Sequence, residues 1–370
     1  TTEIYTLSLH DALPISVLGP VKSFDNSETG RRFLIDFARQ FNVSRFLMET
    51  TGIYHYSIGW AFQDAFPNSQ VVVMNARLIK HYLKGIRQND KIDAMNLAQL
   101  ARYEELLKYS YLPSPHMAVL REYVRQRAKA LAEIVRLKNR IKKMLDMFGF
   151  GWEFNFHIQW QTGLIQAFCR SSQRFGDFLK SAGAKKWSPW LNGAEKKALV
   201  WKEKLAIWAE ASPPLEARAQ VIFLFQRLAL HECELTAVEA MIRAQVGTDP
   251  AIQPQLDLIL NAPGLGEFGA FEIITEIGRI QRFPSERYFI AYAGIGPSGK
   301  TSGIYTRETG LEKVVEKDKP NPYRNTRLNR VLVISARVIC TMAKRGPSDD
   351  RVIQYARRQQ ERGKIGRAHV

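Results

Sequence analysis

The first part of the chain alternates short apolar runs with amphipathic stretches, which is the pattern of an α/β domain. Three apolar runs predict strands over residues 17–24, 45–48 and 70–74. Apolar residues at helical spacing predict helices over residues 28–41, 54–65 and 90–103. Together these elements predict one α/β domain that ends near residue 112.

Two long heptad patterns follow, over residues 116–148 and 215–246. Arg127 and Lys138 interrupt the apolar seam of the first. Two such helices predict either an antiparallel hairpin within one chain or a contact between two chains. The other faces of the first helix are basic, with Arg121, Arg125, Lys129, Arg136, Arg140, Lys142 and Lys143. These residues could form the solvated exterior of a coiled coil or contact phosphates directly, and the sequence leaves both open.

A tryptophan-rich stretch separates the two long helices, with Trp152, Trp160, Trp187, Trp190, Trp201 and Trp208. Aromatic residues at this density usually form a core, which predicts a small helical subdomain; stacking against bases is the alternative. After residue 246, glycine and proline punctuate short helical patterns. This predicts a separate, mostly helical and basic C-terminal domain, so the expected fold class is α/β plus all-α.

The chain carries a formal net charge of +17 over 370 residues, and this excess favours a polyanionic partner. Nucleic acid is the first candidate. A membrane surface competes with it, but the sequence contains no apolar run of about 18 residues that would span a bilayer. Cys169, Cys233 and Cys340 lie far apart and lack metal-ligand spacing. Neither a disulfide framework nor a zinc site is therefore expected, and the compartment should be reducing and intracellular.

Both ends of the chain resemble translated sequencing adapters. The resemblance covers the head, TTEIYTLSLHDALPIS (residues 1–16), and the tail that ends in IGRAHV (residues 364–370). We therefore expect native sequence to begin at Val17 and to end near Lys364. For the head, an ordinary polar arm is the alternative.

Three acids lie where a metal ion could bind. Glu49 closes an apolar strand, and ligands usually bind at strand ends in α/β sheets. Asp90 and Asp93 are three residues apart on a predicted helix, so both project from one face. Three converging carboxylates repel each other unless a divalent cation lies among them, and Mg²⁺ or Mn²⁺ suits such an all-oxygen site. The structural alternative is that Glu49 caps the following helix while Asp90 and Asp93 occupy a helix N-terminus.

Several segments resemble one protein family. METTGIYH, VVVMNARLIKHY and NDKIDAMNLAQLARY resemble the N-terminal domain of the DEDD-type insertion-sequence transposases, the one-ten family related to the Piv-type DNA invertases. NAPGLGEFGA, RIQRFPSERYFIAYAGIGPSGKTSG and TRLNRVL resemble the family's second domain, so the match runs from Val17 to about Ala343. The resemblance implies a RuvC-like, ribonuclease-H-type fold for the N-terminal domain.

The resemblance also gives the three acids a role. Glu49, Asp90 and Asp93 match the second, third and fourth acids of the family's metal-binding tetrad. The first acid would lie on a strand upstream of Val17, where the adapter-like head stands, so Asp11 is not its equivalent. This copy is therefore expected to lack its first strand and to be inactive.

The family's second domain is similar in carrying a serine, followed by glycine, that is thought to become covalently joined to DNA. Ser302 is the best match, and Ser298 is the fallback. A serine needs activation, and cations stabilise the phosphorane-like charge. The nearby cations are Lys300, Arg324 and Arg327. Without the family, Ser302 would read as a turn serine beside glycine.

The sequence Pro263–Gly266 (PGLG) resembles the turn of a helix-hairpin-helix, which the family has at this place. Gly264 and Gly266 would let backbone amides approach a phosphate. The expected nucleic-acid contacts are Gly264, Gly266, Lys300, Arg324, Arg327, Arg121 and Arg125. Two departures loosen the match: Gln88-Asn89 replaces a common Lys-Thr, and Asn325-Thr326 replaces a common Gly-Asn.

The expected domains are an adapter-like head (1–16), a RuvC-like catalytic domain (17–112), a coiled-coil helix (113–150), a tryptophan-rich helical insertion (151–212), a second coiled-coil helix (213–246), a serine-bearing domain (247–363) and an adapter-like tail (364–370). The resemblance implies a transposase that mobilises an insertion sequence in the bacterial or archaeal cytoplasm, at the nucleoid. Its expected partners are element-end and target DNA, a structured guide RNA and further copies of its own chain as a dimer or tetramer, without a membrane. Two alternatives stay open: a metal-dependent endonuclease resembling Holliday-junction resolvases, and a non-catalytic nucleic-acid-binding protein.

Overall fold

The structure is a computed structural model. It describes residues 23–103 except 42, 51, 77–78 and 80–89; residues 110–181 except 151–155 and 157–158; residues 205–209 except 207; residues 213–295; and residues 324–362 except 347. The predicted first strand lies outside these ranges except for its last two residues, Ser23 and Phe24. The chain divides into two compact units, residues 1–121 with 251–370 and residues 122–250.

The N-terminal part of the first unit contains α1 (Glu28–Arg39), β1 (Arg45–Glu49), α2 (Tyr54–Ala65), β2 (Gln70–Met74) and α3 (Asp90–Leu100). All five were predicted from the apolar pattern. The helices α1 and α3 end two and three residues earlier than predicted. The helix α1 begins after Ser27, whose hydroxyl accepts a hydrogen bond from the Gly30 amide at 3.0 Å and so caps the helix. The strands are parallel, with Arg45 opposite Gln70 and Glu49 opposite Met74.

The two described strands are covered by helices on both faces. Alternate residues of a strand point to opposite faces, and here Phe46 and Met48 pack with α1 and α2. Leu47 packs on the other face, in a cluster with Leu97 of α3. Phe46 is fully buried and stacks on Phe62 of α2, with ring centroids 4.2 Å apart. Helices thus pack on both faces of the two described strands, in agreement with the α/β domain that the N-terminal pattern predicted.

The C-terminal part of the first unit is helical. It contains α8 (Gln253–Leu260), α9 (Glu267–Ile277), a 3₁₀ turn (Ile280–Arg282), α10 (Glu286–Ala293), α11 (Thr326–Arg345) and α12 (Arg351–Glu361). Four helices that precede these in the chain belong mainly to the second unit. Every residue of α9 from Ala270 onwards is buried, so this helix forms the centre of the domain. Leu328 and Val331 of α11 pack against it. The described residues of this part are mostly helical, as predicted.

The second unit contains most of α4 (Pro115–Met147) together with α5 (Gln159–Cys169), α6 (Phe175–Lys180) and α7 (Leu215–Gly247). Arg127 of α4 pairs with Glu239 of α7 at 2.7 Å, and Lys138 pairs with Glu232 at 3.2 Å. Partner numbers fall on α7 as they rise on α4, so the two helices run antiparallel within one chain. The two residues that interrupt the apolar seam of α4 are thus the ones that carry these ion pairs.

The core of the second unit is aromatic. Phe150, Phe168 and Phe175 are almost fully buried, and Trp208 is 3% exposed in the same cluster. The core interpretation of the tryptophan-rich stretch therefore holds for Trp208. Of Trp160 the structure describes the backbone, and the remaining tryptophans of the stretch lie outside the described residues.

Candidate active site

Two of the three predicted acids come to one edge of the sheet. Arg45, at the start of β1, donates a hydrogen bond to the carbonyl oxygen of Ala101, just after α3, at 2.7 Å. Leu97, one turn before Ala101, lies in the same buried cluster as Leu47 in the middle of β1. These two points of proximity indicate that α3 runs antiparallel to β1. Glu49 lies four strand residues beyond Arg45, roughly 13 Å along the sheet, and Asp93 lies eight residues before Ala101, about 12 Å along the helix. Both acids therefore lie at the carboxyl edge of β1.

The third acid, Asp90, is the first residue of α3, and the structure describes only its backbone. Its position is one helical turn from Asp93. The alternative that Glu49 caps α2 does not hold, because α2 begins after Ile53, whose apolar side chain fills the cap position. The first turn of α3 remains a favourable place for acids because of the helix dipole.

The residues at this edge fit a hard divalent cation. Carboxylates suit Mg²⁺ or Mn²⁺, and Mg²⁺ usually takes one or two of them and completes its shell with water and substrate phosphate. Asn96 lies one turn after Asp93, and its buried side-chain nitrogen has no hydrogen-bond partner among the described residues. Such a donor suits a phosphate oxygen or a bound water. Within the described ranges, no group of three or more His, Cys, Asp or Glu residues is close enough to hold a metal ion.

A buried histidine close in sequence to Glu49 was not predicted as a site residue. His55 lies in the first turn of α2, six residues after Glu49, and is 8% exposed. Its Nδ1 has no hydrogen-bond partner among the described residues. Burial, followed by the positive charge of Arg121, lowers the pKa of the imidazole and favours its neutral form. The only sequence signal was its position in the apolar run after METTG.

Arg121 does not lie on an exposed basic face. Its guanidinium is buried and donates to Glu276 of α9 at 2.5 Å. Burial works against the charge of Arg121, but Glu276 more than offsets it, so the pKa of the guanidinium is raised. Phosphate contact by Arg121 would therefore require this pair to open. Arg125, one turn later, is half-buried.

The remaining predicted site residues lie either within residues 296–323 or just after them. Ser298, Lys300 and Ser302 lie in residues 296–323, outside the described residues. Arg324 and Arg327 are half-buried at the start of α11. The side chain of Arg324 lies against Gly294, at the end of α10.

The glycines of the PGLG turn have different surroundings. Gly264 has φ +79°, and a Cβ there would lie 2.8 Å from the Ser335 carbonyl oxygen and 2.9 Å from Ile339 Cγ1, both on α11. Backbone conformation and close packing therefore explain Gly264 without a phosphate. Gly266 is the exposed N-cap of α9, and a Cβ there would meet no described atom within 4 Å. Of the two, Gly266 is the one at which a phosphate could approach a helix N-terminus.

Comparison with protein families decides the identity. Residues 16–149 match the DEDD domain model of IS110, described as Transposase. Residues 256–351 match the model described as Transposase IS116/IS110/IS902 family. The chain belongs to the IS110 family of transposases. A search of curated proteins found no match.

The predicted acids and serine of this IS110-family transposase fall within the two matched ranges. Glu49, Asp90 and Asp93 lie within the first match, and Ser302 lies within the second. The family assignment makes the protein a DNA-acting transposase, in agreement with its basic charge. None of its described helices is long and apolar enough to span a membrane.

Proposed function

We propose that this transposase is a magnesium-dependent serine recombinase that inserts and excises a mobile DNA element. The observation that carries the proposal is the arrival of Glu49 and Asp93 at the same edge of the sheet, inside a DEDD transposase match. We take the N-terminal domain to be RuvC-like, because in that fold a strand end and a facing helix supply the metal-binding acids.

Glu49, Asp90 and Asp93 would hold the metal. When bound there, Mg²⁺ or Mn²⁺ stabilises the negative charge that develops on the phosphoryl group and on the leaving oxygen. Asn96 would donate to a phosphate oxygen at the same edge. The neutral imidazole of His55 would have a free ring nitrogen able to accept a proton, which an imidazolium lacks.

Ser302 would supply the nucleophile. Its hydroxyl oxygen would form a bond to the phosphorus while the bond from phosphorus to a sugar oxygen breaks. The serine proton would pass to a base, and the departing sugar oxygen would take up a proton and leave as a free hydroxyl. The result is a phosphodiester between protein and DNA that conserves the energy of the broken bond. Lys300, Arg324 and Arg327 would stabilise the charge on the phosphoryl oxygens.

The wider assembly is part of the same proposal. We take α4 and α7 to be a coiled-coil spacer, the active form to be a dimer or tetramer, and a structured RNA to direct the choice of target. The basic charge of the chain supports contact with both nucleic acids, since each neutralised phosphate releases counterions.

The test is a covalent adduct. Two proteins are incubated with Mg²⁺, element-end DNA and the element's RNA: the chain as printed, and the chain preceded by an opening strand that carries an aspartate. A protein–DNA species that survives denaturation, requires Mg²⁺, and is lost in Ser302→Ala but kept in Ser298→Ala supports serine recombination. Glu49→Gln and Asp93→Asn should abolish it, while Asp64→Asn, a change of an exposed acid on α2, should not.

Three results would contradict the proposal. Metal-dependent cleavage without an adduct would indicate an endonuclease. Salt-sensitive binding without strand chemistry in the extended protein would indicate a nucleic-acid-binding protein. An adduct that survives both Glu49→Gln and Asp93→Asn would show that the metal site is wrongly assigned.

A further inference from the structure

Glu276 is a buried carboxylate in the last turn of α9. It is 1% exposed. Its Oε2 accepts hydrogen bonds from Arg121 Nη2 at 2.5 Å and from Asn325 Nδ2 at 2.9 Å. A buried ion pair is often no more stabilising than apolar residues of the same volume. The core of this domain therefore does not need a charge at Glu276, and the two partners indicate a more specific role.

Asn325 makes four side-chain hydrogen bonds. Its Oδ1 accepts from the backbone amides of Arg327 and Leu328, both at 3.1 Å, and so caps the N-terminus of α11. Its Nδ2 donates to Glu276 and to the hydroxyl of Tyr292 at 3.1 Å. The first turn of α11 is therefore fixed to α9 and α10 through one side chain.

The same turn is joined to the end of α10. The backbone amide of Asn325 donates to the Tyr292 carbonyl at 2.7 Å. One turn later, Asn329 Nδ2 donates to the carbonyls of Ala293 and Gly294 at 3.0 and 3.1 Å. The end of α10 and the start of α11 are therefore in direct contact. Residues 296–323, which contain Ser302, lie between these two fixed ends in the sequence.

We propose that Glu276 is a positioning residue. By binding Asn325, it holds the end of α10 next to the start of α11, and the nucleophilic serine lies between these two points in the sequence. This rests on the proposed function, in which Ser302 attacks DNA. Arg121, at the start of α4, balances the buried charge, and its side chain lies beside Tyr111, with the guanidinium carbon 5.7 Å from the ring centroid. Tyr111 in turn lies directly against Gly278, at the end of α9. Glu276 therefore also links the start of α11 to Tyr111 and Arg121, which follow the domain that carries Glu49 and Asp93.

Two single variants weaken the link in different ways. Glu276→Gln removes the buried charge, so Asn325 can donate only to a neutral amide oxygen and the buried Arg121 loses its counterion. Asn325→Asp keeps the capping oxygen but places a carboxylate oxygen where the amide donated to Glu276. Combining the two changes returns one negative charge to the cluster and lets the amide nitrogen at 276 donate to the aspartate at 325. Arg121, which shares Oε2 with Asn325, must then donate to the amide oxygen at 276 or to the aspartate. Glu272→Gln is the matched control: Glu272 is buried one turn earlier on α9, and it pairs with Arg330 at 2.8 Å.

The first readout is amide hydrogen exchange of residues 324–330, which does not depend on activity. Exchange should be about tenfold faster in each single variant, as expected for the loss of one hydrogen bond to a charged group. It should return towards the parent rate in the double variant and stay at the parent rate in Glu272→Gln. The second readout is the rate of adduct formation by the extended protein. That rate should fall about tenfold or more in the single variants and recover in the double variant, while the Kd for element-end DNA changes less than about twofold.

Two results would overturn the inference. One is exchange in the single variants no faster than in Glu272→Gln. The other is faster exchange with adduct formation at the parent rate. If the parent forms no adduct at all, the proposed function fails instead, and the exchange rates alone decide whether Glu276 holds the two chain ends together. Recovery in the double variant excludes a general loss of folding as the cause.

Discussion

Substitution by alanine should lower the free energy of unfolding much more at Gly264 than at Gly266, the two glycines of the PGLG turn. In Gly264→Ala, the new residue must adopt φ +79°, at a cost of roughly 1–2 kcal/mol. Its Cβ also lies 2.8 Å from the Ser335 carbonyl, which cannot retreat unless α11 moves, and overpacking of this kind costs about 1–3 kcal/mol. The free energy of unfolding should therefore fall by about 2–5 kcal/mol.

Gly266→Ala is the matched control. Gly266 has φ −100° and ψ 170°, an extended conformation open to any residue, and a Cβ there would meet no described atom within 4 Å. The expected cost is at most about 1 kcal/mol, from a poorer helix cap. If a phosphate approaches α9 at this point, Gly266→Ala should instead weaken binding to element-end DNA.

Thermal unfolding and DNA titration of both variants test this reasoning. Gly264→Ala should lower Tm by at least about 4 °C, since 1 kcal/mol corresponds to roughly 2–4 °C for a domain of this size. Its DNA affinity at a temperature where it is folded should match the parent. A Gly264→Ala protein as stable as Gly266→Ala would refute the packing explanation and return Gly264 to phosphate binding.

Other predictions concern the core, pH and thiols. Phe46→Ala should cost about 3–5 kcal/mol in urea unfolding, whereas Phe33→Ala, at a 63% exposed position, should cost little. Because burial lowers the pKa of His55, the unfolded state binds the proton more tightly, so stability should fall as pH drops through and below about 6.5. His55→Phe should reduce that fall in unfolding midpoints compared between pH 7.5 and 5.5. Burial raises the pKa of Cys169 to about 12, so a maleimide should label exposed Cys233 far faster; equal rates would contradict its burial.

The sequence was most informative where the physical signal is local. The helix Tyr54–Ala65 and the strand Gln70–Met74 were predicted to the residue, because apolar periodicity changes on either side of the turn at Pro67–Ser69. Glu49 could likewise be placed at a strand end. That Asp93 lies near the same edge was expected from the residue types and the family resemblance, not from the local pattern, because the direction of α3 depends on packing and on the bond from Arg45 to Ala101.

The sequence was least informative where partners are distant. Arg121 looked like one of many cations on a basic helix, but its partner Glu276 lies 155 positions away, and no local pattern reveals the pair. The interruptions of the α4 seam at Arg127 and Lys138 were visible, but the acids that match them lie on α7. Buried polar residues whose partners come from another element therefore account for most of what the pattern missed.

The antiparallel arrangement of α4 and α7 has a consequence for how the chain can vary in length. The second unit is an insertion: the chain leaves the first unit at Arg121 and rejoins it at Ala251. Because the outgoing and returning helices run side by side, removing seven residues from each would shorten this pair of helices by about 10 Å. The facing residues of the remaining turns would keep their partners, because seven residues are close to two full helical turns. The second unit can thus change in length in paired steps while the chain leaves and rejoins the first unit at the same residues.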